Sequence, residues 1–216
     1  VYSDLGDYIK SEAMYLRALA IDEKVLPPDH PTIAQHLDNL AIVYGDMGDY
    51  VRAEPMIRRA LAIREKTLGP DDLLVSASLN NLGTFYGERG QYAEAEKAHL
   101  RALDIREKKL KEHPWVAQSL YNLGENAWQM GDYAKAESFL LRALAVAEKV
   151  FDPNHPSMAF VLIGLANVYR DLGQYEKSEP LYKRVLSIYE GAFGKDHPNK
   201  ARVLTALATM YLGGLA

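Results

Sequence analysis

GDYVRAEPMIRRALAIREKTLGPDD, residues 48–72, is one of five copies of a unit in this chain of 216 residues. The others begin at Gly6 (GDYIKSEAMYLRALAIDEKVLPPDH), Gly90 (GQYAEAEKAHLRALDIREKKLKEH), Gly131 (GDYAKAESFLLRALAVAEKVFDPNH) and Gly173 (GQYEKSEPLYKRVLSIYEGAFGKDH). The glycines are spaced by 42, 42, 41 and 42 residues, and the short interval comes from one deletion in the loop before Pro114. A period of this length means stacked supersecondary units, each burying its apolar face against its neighbours, and not a single globular core.

Working outward from that stretch, each unit reads as two helices, A and B. Helix A of the second unit starts at Pro31, which suits a first turn because it has no N–H to leave unpaired. Leu37, Leu40, Ala41 and Tyr44 fall at i, i+3, i+4 and i+7, one face of a helix. Gly48 can take the left-handed conformation that ends a helix. Asp49 then caps helix B, from about Tyr50 to Thr67, whose buried side is Ala53, Ile57, Ala60, Leu61 and Ile63. So short a turn makes an antiparallel hairpin. The unit boundaries fall at 1–30 (helix B only), 31–72, 73–113, 114–155, 156–197 and 198–216 (helix A only), a single array over 1–216.

The same residue types recur at the same offsets. Leu37 is matched by Leu79, Leu120, Leu162 and Leu204, and Leu40 by Leu82, Leu123, Leu165 and Leu207. Ala41 is matched by Gly83, Gly124, Ala166 and Ala208; on helix B the small sites are Ser11, Ala53, Ala95, Ala136 and Ser178. Small residues at these places let helix backbones approach closely.

This small–Tyr–Gly–Tyr–Ala–Ala pattern resembles the tetratricopeptide repeat over essentially the whole chain, although the usual unit is 34 residues. The 42-residue form, with LNNLG at 79–83, AExxxxRAL on helix B and LGPDHP-like connectors, resembles the repeats of kinesin light chains and their bacterial relatives. The resemblance implies an all-α, right-handed superhelical α-solenoid of antiparallel helix pairs, with helices A lining a concave groove for peptides or folded partners.

On that expectation, the groove positions include Asp38, Asn39, Ile42 and Asp46 on one helix A, and Asn80, Asn81, Thr84 and Glu88 on the next. Tyr121, Asn122, Glu125 and Trp128 follow, then Phe160, Ile163, Asn167 and Arg170, then Arg202. Asn39, Asn81 and Asn122 share one repeat position. Carrying both donor and acceptor, such a ladder can pair with an extended peptide backbone, as groove asparagines do in the kinesin light chain type; the alternative is solvation or pairing to the adjacent helix. Tyr121, Trp128, Phe160 and Ile163 form an aromatic and apolar cluster of the kind that anchors interfaces. Trp128 has a second reading: Ala127 stands where Tyr44, Tyr86, Tyr169 and Tyr211 stand elsewhere, and the indole could fill that gap. Asp38, Asp46, Glu88, Glu125 and Asp171 outnumber Arg170 and Arg202, which favours a partner carrying basic residues beside bulky apolar ones. Kinesin light chains favour acidic motifs, so the ligand class differs on this reading.

Other chemistry finds little support. His30, His113, His155 and His197 share one connector position, but one repeat apart they are separated by about 10 Å, too far to meet on one ion, and they suit helix starts instead. His99 falls on a core position of helix B. Glu12, Glu54, Glu96, Glu137 and Glu179 recur with Arg17, Arg59, Arg101, Arg142 and Arg184 five residues later, about 140° around the helix, so a bridge to the next repeat is expected. There is no G-x-S-x-G, no phosphate loop and no H-E-x-x-H, and the expectation is a non-catalytic protein without cofactor or metal. A net charge of −4 argues against bulk affinity for nucleic acid or anionic membrane. With no cysteine, no spanning run and no signal pattern, a cytoplasmic location is expected.

VYSDLGDY at 1–8 matches the end of a helix A, AIVYGDMGDY at 41–50, and LATMYLGGLA closes the chain on a helix A. Neither end carries a polar capping helix, which points to a piece of a longer protein or to ends that stack on another chain. Two functional classes follow: a scaffold that binds a peptide or protein in the groove, or a structural, regulatory or self-associating module acting through its ends or convex face.

Overall fold

The computed structural model describes residues 5–213, and ten α-helices account for its regular structure. The chain divides into two compact units, Val1–Lys109 and Leu110–Ala216. The first holds α1 (Leu5–Val25), α2 (Pro31–Asp46), α3 (Tyr50–Leu68), α4 (Leu73–Glu88) and α5 (Tyr92–Leu110, ending at the boundary). The second holds α6 (Pro114–Gln129), α7 (Tyr133–Val150), α8 (Met158–Asp171), α9 (Tyr175–Phe193) and α10 (Pro198–Gly213). Within each unit consecutive helices stack as antiparallel pairs, the α-solenoid class; even-numbered helices are helices A and odd-numbered ones helices B.

The glycine turn both stops one helix and starts the next. Gly48 has φ +73°, and the N–H of Asp49 bonds back to the carbonyl of Tyr44 at 2.8 Å, closing the orphan carbonyls of α2. The Asp49 carboxylate then accepts the Arg52 N–H at 3.1 Å and caps α3. Gln91, Asp132 and Gln174 make the same back-bond to Tyr86, Ala127 and Tyr169. Gly6, at the equivalent position, instead lies inside α1: no helix A among the described residues precedes it to receive the back-bond. The expected match to a helix A end falls mostly on residues 1–4, outside the described residues.

The connector histidines start helices. Nδ1 of His30, His113, His155 and His197 accepts the backbone N–H two residues on, at 3.3, 3.1, 3.1 and 3.3 Å. Asp72 takes the same place before α4, accepting from Leu74 N–H at 2.8 Å. His30 and His113 are thus the N-caps of α2 and α6, a bond worth about 1 kcal/mol, whereas His155 closes the turn before α8, whose N-cap Ser157 makes no side-chain bond.

In the first unit Ile33, Leu37, Leu40 and Tyr44 of α2 are buried against Ala53, Ile57, Ala60 and Ile63 of α3. Val75 and Leu79 of α4 meet Ala102 and Ile105 of α5. In the second, Ala127, Ala136, Leu140, Leu165 and Val168 form the core. Each fully buried leucine or isoleucine stabilises its layer by about 1.5–3 kcal/mol. Leu204 departs from its row: α10 packs on α9 through Val203, Leu207 and Met210, leaving Leu204 51% exposed.

The recurring Glu and Arg join neighbouring repeats through different partners. Tyr44 Oη donates to Glu12 at 3.1 Å, Tyr169 to Glu137 at 2.9 Å and Tyr211 to Glu179 at 2.7 Å, so these glutamates hold the next helix A. Arg59 and Arg184 instead reach back to Glu23 (2.5 Å) and Glu148 (3.5 Å) on the preceding helix B, and Arg101 to Glu65 likewise. Pointing about 140° apart, the two side chains address different neighbours.

Candidate functional site

Each unit carries a cavity on its helix A face. In the first, about 250 Å³ opens between α2 and α4, walled by Asp38, Ile42, Asp46, Asn81, Thr84 and Glu88, with Tyr50, Ile57 and Phe85 behind them. Ile42 is 53% exposed, and Tyr50 and Phe85 pack edge to face at 5.6 Å. Asp38 is only 8% exposed. One of its oxygens pairs with Arg64 of α3, which also reaches Ser78 of α4, while Oδ1 has no partner. Burial outweighs the Arg64 charge and holds the Asp38 carboxyl above the usual range. Glu88 is also raised, first by burial and then by the negative charge of Asp46.

Asn39 lines a different hollow, between α1 and α2, with Tyr8, Ser11, Tyr15, Ile42 and Asp46. Asn80 is buried and faces the helix pair, whereas Asn81 faces the cavity. This follows from the 100° step between successive helical residues.

In the second unit a cavity of about 300 Å³ is walled by Tyr121, Phe160, Ile163 and Asn167 together with Tyr182, Tyr189, Asn199 and Arg202. Tyr121 and Phe160 meet edge to face at 5.0 Å. Burial and the neighbouring Glu125 push the Tyr121 hydroxyl well up, and Glu125 is itself raised by burial although Tyr121 and Gln129 donate to it. Tyr182 Oη donates to Asn167 Oδ1 at 2.6 Å. Tyr182 and Tyr189 come from helix B, where the sequence shows them only as residues of a packing face. Tyr182 occupies the position of Ile57, His99 and Leu140, and its extra reach brings a hydroxyl to the cavity wall.

Trp128 is half-buried; Nε1–H donates to Asp171 Oδ2 at 2.8 Å while the ring packs on the core around Ala127. The indole thus lays its apolar face on the core and turns its polar edge to Asp171, and it walls neither cavity. Arg170 pairs with the same Asp171 at 2.7 Å. Asn122 is half-buried on α6 and does not wall the cavity.

The charges of the two cavities differ. Asp38, Asp46 and Glu88 are the charged groups of the first, and Arg202 is that of the second. Glu125 takes hydrogen bonds from Tyr121 and Gln129, and Asp171 from Trp128 and Arg170, whereas Asp46 and Glu88 of the first unit stand side by side at their cavity.

The tetratricopeptide repeat family model matches residues 1–66, 32–108, 74–149, 115–191 and 157–214, overlapping windows that cover the described helices. The chain belongs to the tetratricopeptide repeat family. Members of this family are protein–protein interaction scaffolds, and this tetratricopeptide repeat chain is one at that coarse level. Among solved structures it is similar to kinesin light chain nearly identical TPR-like repeats from Podosopora anserina (26% identity, TM-score 0.73, 88% of this chain and 90% of that one). It is also similar to BtubC (BKLC) from P. vanneervenii (25% identity, TM-score 0.76, 89% and 77%). A Rap protein complexed with Competence and Sporulation Factor shares the fold (20% identity, TM-score 0.71, 96% and 61%). No curated protein sequence matches it significantly. Among the described residues no helix is long and apolar enough to cross a membrane.

Proposed function

We propose that the chain is a non-catalytic scaffold that holds a peptide or protein partner on the helix A faces, each unit presenting its own cavity. The carrying observation is the pair of cavities walled by A-helix residues, with exposed Ile42 and the Asn81 amide in one and an aromatic wall in the other. Apolar anchors supply most of the energy at such surfaces, and a few polar groups set register. Of the three repeated asparagines, Asn81 at the wall of the first cavity would address the partner's backbone, whereas Asn39 lines a separate hollow and Asn122 walls neither cavity. The partner favoured by the first unit carries basic residues beside bulky apolar ones.

A second reading is self-association, favoured by the exposed Leu204, Tyr211 and Leu212 on α10. Double substitution Ile42→Ala with Asn81→Ala, both at the wall of the first cavity, separates the two. Under the scaffold reading it abolishes pull-down of a selected peptide and leaves the sedimentation coefficient unchanged. A coefficient that rises with concentration, alongside undiminished peptide binding by the variant, favours self-association instead.

A further inference from the structure

We propose that the cavity between α2 and α4 receives a lysine or arginine side chain of the bound polypeptide, its cationic head between Asp46 and Glu88 and its stem along Ile42. This deepens the scaffold reading and rests on it. The first argument is charge: the ionisable groups walling this cavity are all carboxylates, Tyr50 apart. Asp46 and Glu88 occupy one repeat position on neighbouring A helices, near enough that Asp46 raises Glu88. Neither makes an ion pair or hydrogen bond with any described residue.

The second argument is an internal comparison. The same repeat position carries Asp171 in the other unit, and there the chain supplies its own donors, Trp128 Nε1–H at 2.8 Å and Arg170 Nε at 2.7 Å. Asp46 and Glu88 are exposed like charges that repel each other, and a cation placed between them from outside would relieve that repulsion.

The third is independent of those two carboxylates. Asp38, more than nine-tenths buried in the wall of the same cavity, keeps Oδ1 unpartnered while its other oxygen is held by Arg64. Buried carboxylate oxygens are normally satisfied, and this enclosed one leaves the wall short of donors, an electronegative lining that favours a cation in the cavity. Ile42 and the Phe85 ring offer the apolar surface on which the methylene stem of a basic residue packs while its head stays polar.

The test is panning of a random dodecapeptide phage library against the whole chain, followed by affinity measurement of the selected peptides on wild type and on Asp46→Asn with Glu88→Gln. These swaps preserve shape, and circular dichroism melts verify folding. Selected peptides enriched in lysine or arginine, losing about tenfold or more on the double variant, support the inference; that is the loss expected for a charge-assisted hydrogen bond. Their binding also weakens as pH falls through the carboxylate range. Peptides that bind wild type and double variant equally, or carry no basic residue, overturn the inference and leave the scaffold reading standing. A library that yields no binder overturns both.

Discussion

Replacing His99 by leucine is expected to remove an acid-sensitive weakness from the first unit. His99 lies on α5, 3% exposed, its ring pressed on Gly83 of α4: a Cβ at Gly83 would sit 2.6 Å from its Cε1. Nδ1 has no partner, and Arg106, seven residues on along the same face, is also buried. Burial, with the Arg106 charge second, lowers the imidazole from 6.5 to about 4. The neutral ring is thus the folded form, and the unfolded chain binds the extra proton between pH 6.5 and about 4. Stability is therefore fully present above pH 6.5 and falls as pH drops through that window. At about 1.4 kcal/mol per pH unit the total linked loss is about 3 kcal/mol, with roughly 2 kcal/mol already gone at about pH 5. The matching place in the second unit shows that leucine fits, because Leu140 packs on Gly124 there in the same way.

His99→Leu is accordingly neutral or stabilising by about 1 kcal/mol at about pH 7, since it deletes an unsatisfied polar atom. Its advantage over wild type grows to about 3–4 kcal/mol near pH 4. Urea titrations followed by far-ultraviolet circular dichroism read the difference, because Trp115 and Trp128 both lie in the other unit and their fluorescence reports on that unit. The His99 ring proton shift in NMR gives the titration directly. Parallel loss of stability in wild type and variant as pH falls from about 7 to about 4.5, or a His99 titration near 6.5, refutes the reasoning.

Two further outcomes concern the repeat joints. Gly124→Ala places a methyl 2.6 Å from Leu140 Cγ and is expected to destabilise the second unit by about 1–3 kcal/mol by overpacking, with Leu140→Val in the same chain recovering part of the loss in tryptophan-monitored urea unfolding. Tyr169→Phe removes the hydroxyl that donates to Glu137 and is expected to cost about 1.5–3 kcal/mol. Burial and Glu137 raise the Tyr169 hydroxyl to about 12, so its contribution is complete below pH 10 and lost as pH rises to 12, a decline that the phenylalanine variant should lack.

Much of the fold was legible in the chain because it depends on local rules applied five times over. Period, helix phase, the glycine turn and the proline start each need only a few consecutive residues, and repetition removes the ambiguity of any single copy. The connector histidines were legible for the same reason: a position that precedes every first turn is a capping position. The cavity walls were legible in part. Asn81, Phe160, Ile163 and Asn167 face them because a helix facing outward in one repeat faces outward in the next.

What only the tertiary structure decided is which polar side chain spends itself on which neighbour. The recurring Glu and Arg look like partners in the sequence, yet the glutamate serves the tyrosine of the following helix A and the arginine reaches the preceding helix B. Asp38 and Asp46 read alike as acidic face positions, but one is buried on Arg64 and the other is left open beside Glu88. Secondary structure follows from neighbours in sequence and survives a coarse reading. The pairing of long charged side chains depends on ångström-scale distances between helices some forty residues apart, which the packing of the cores sets and no periodicity encodes.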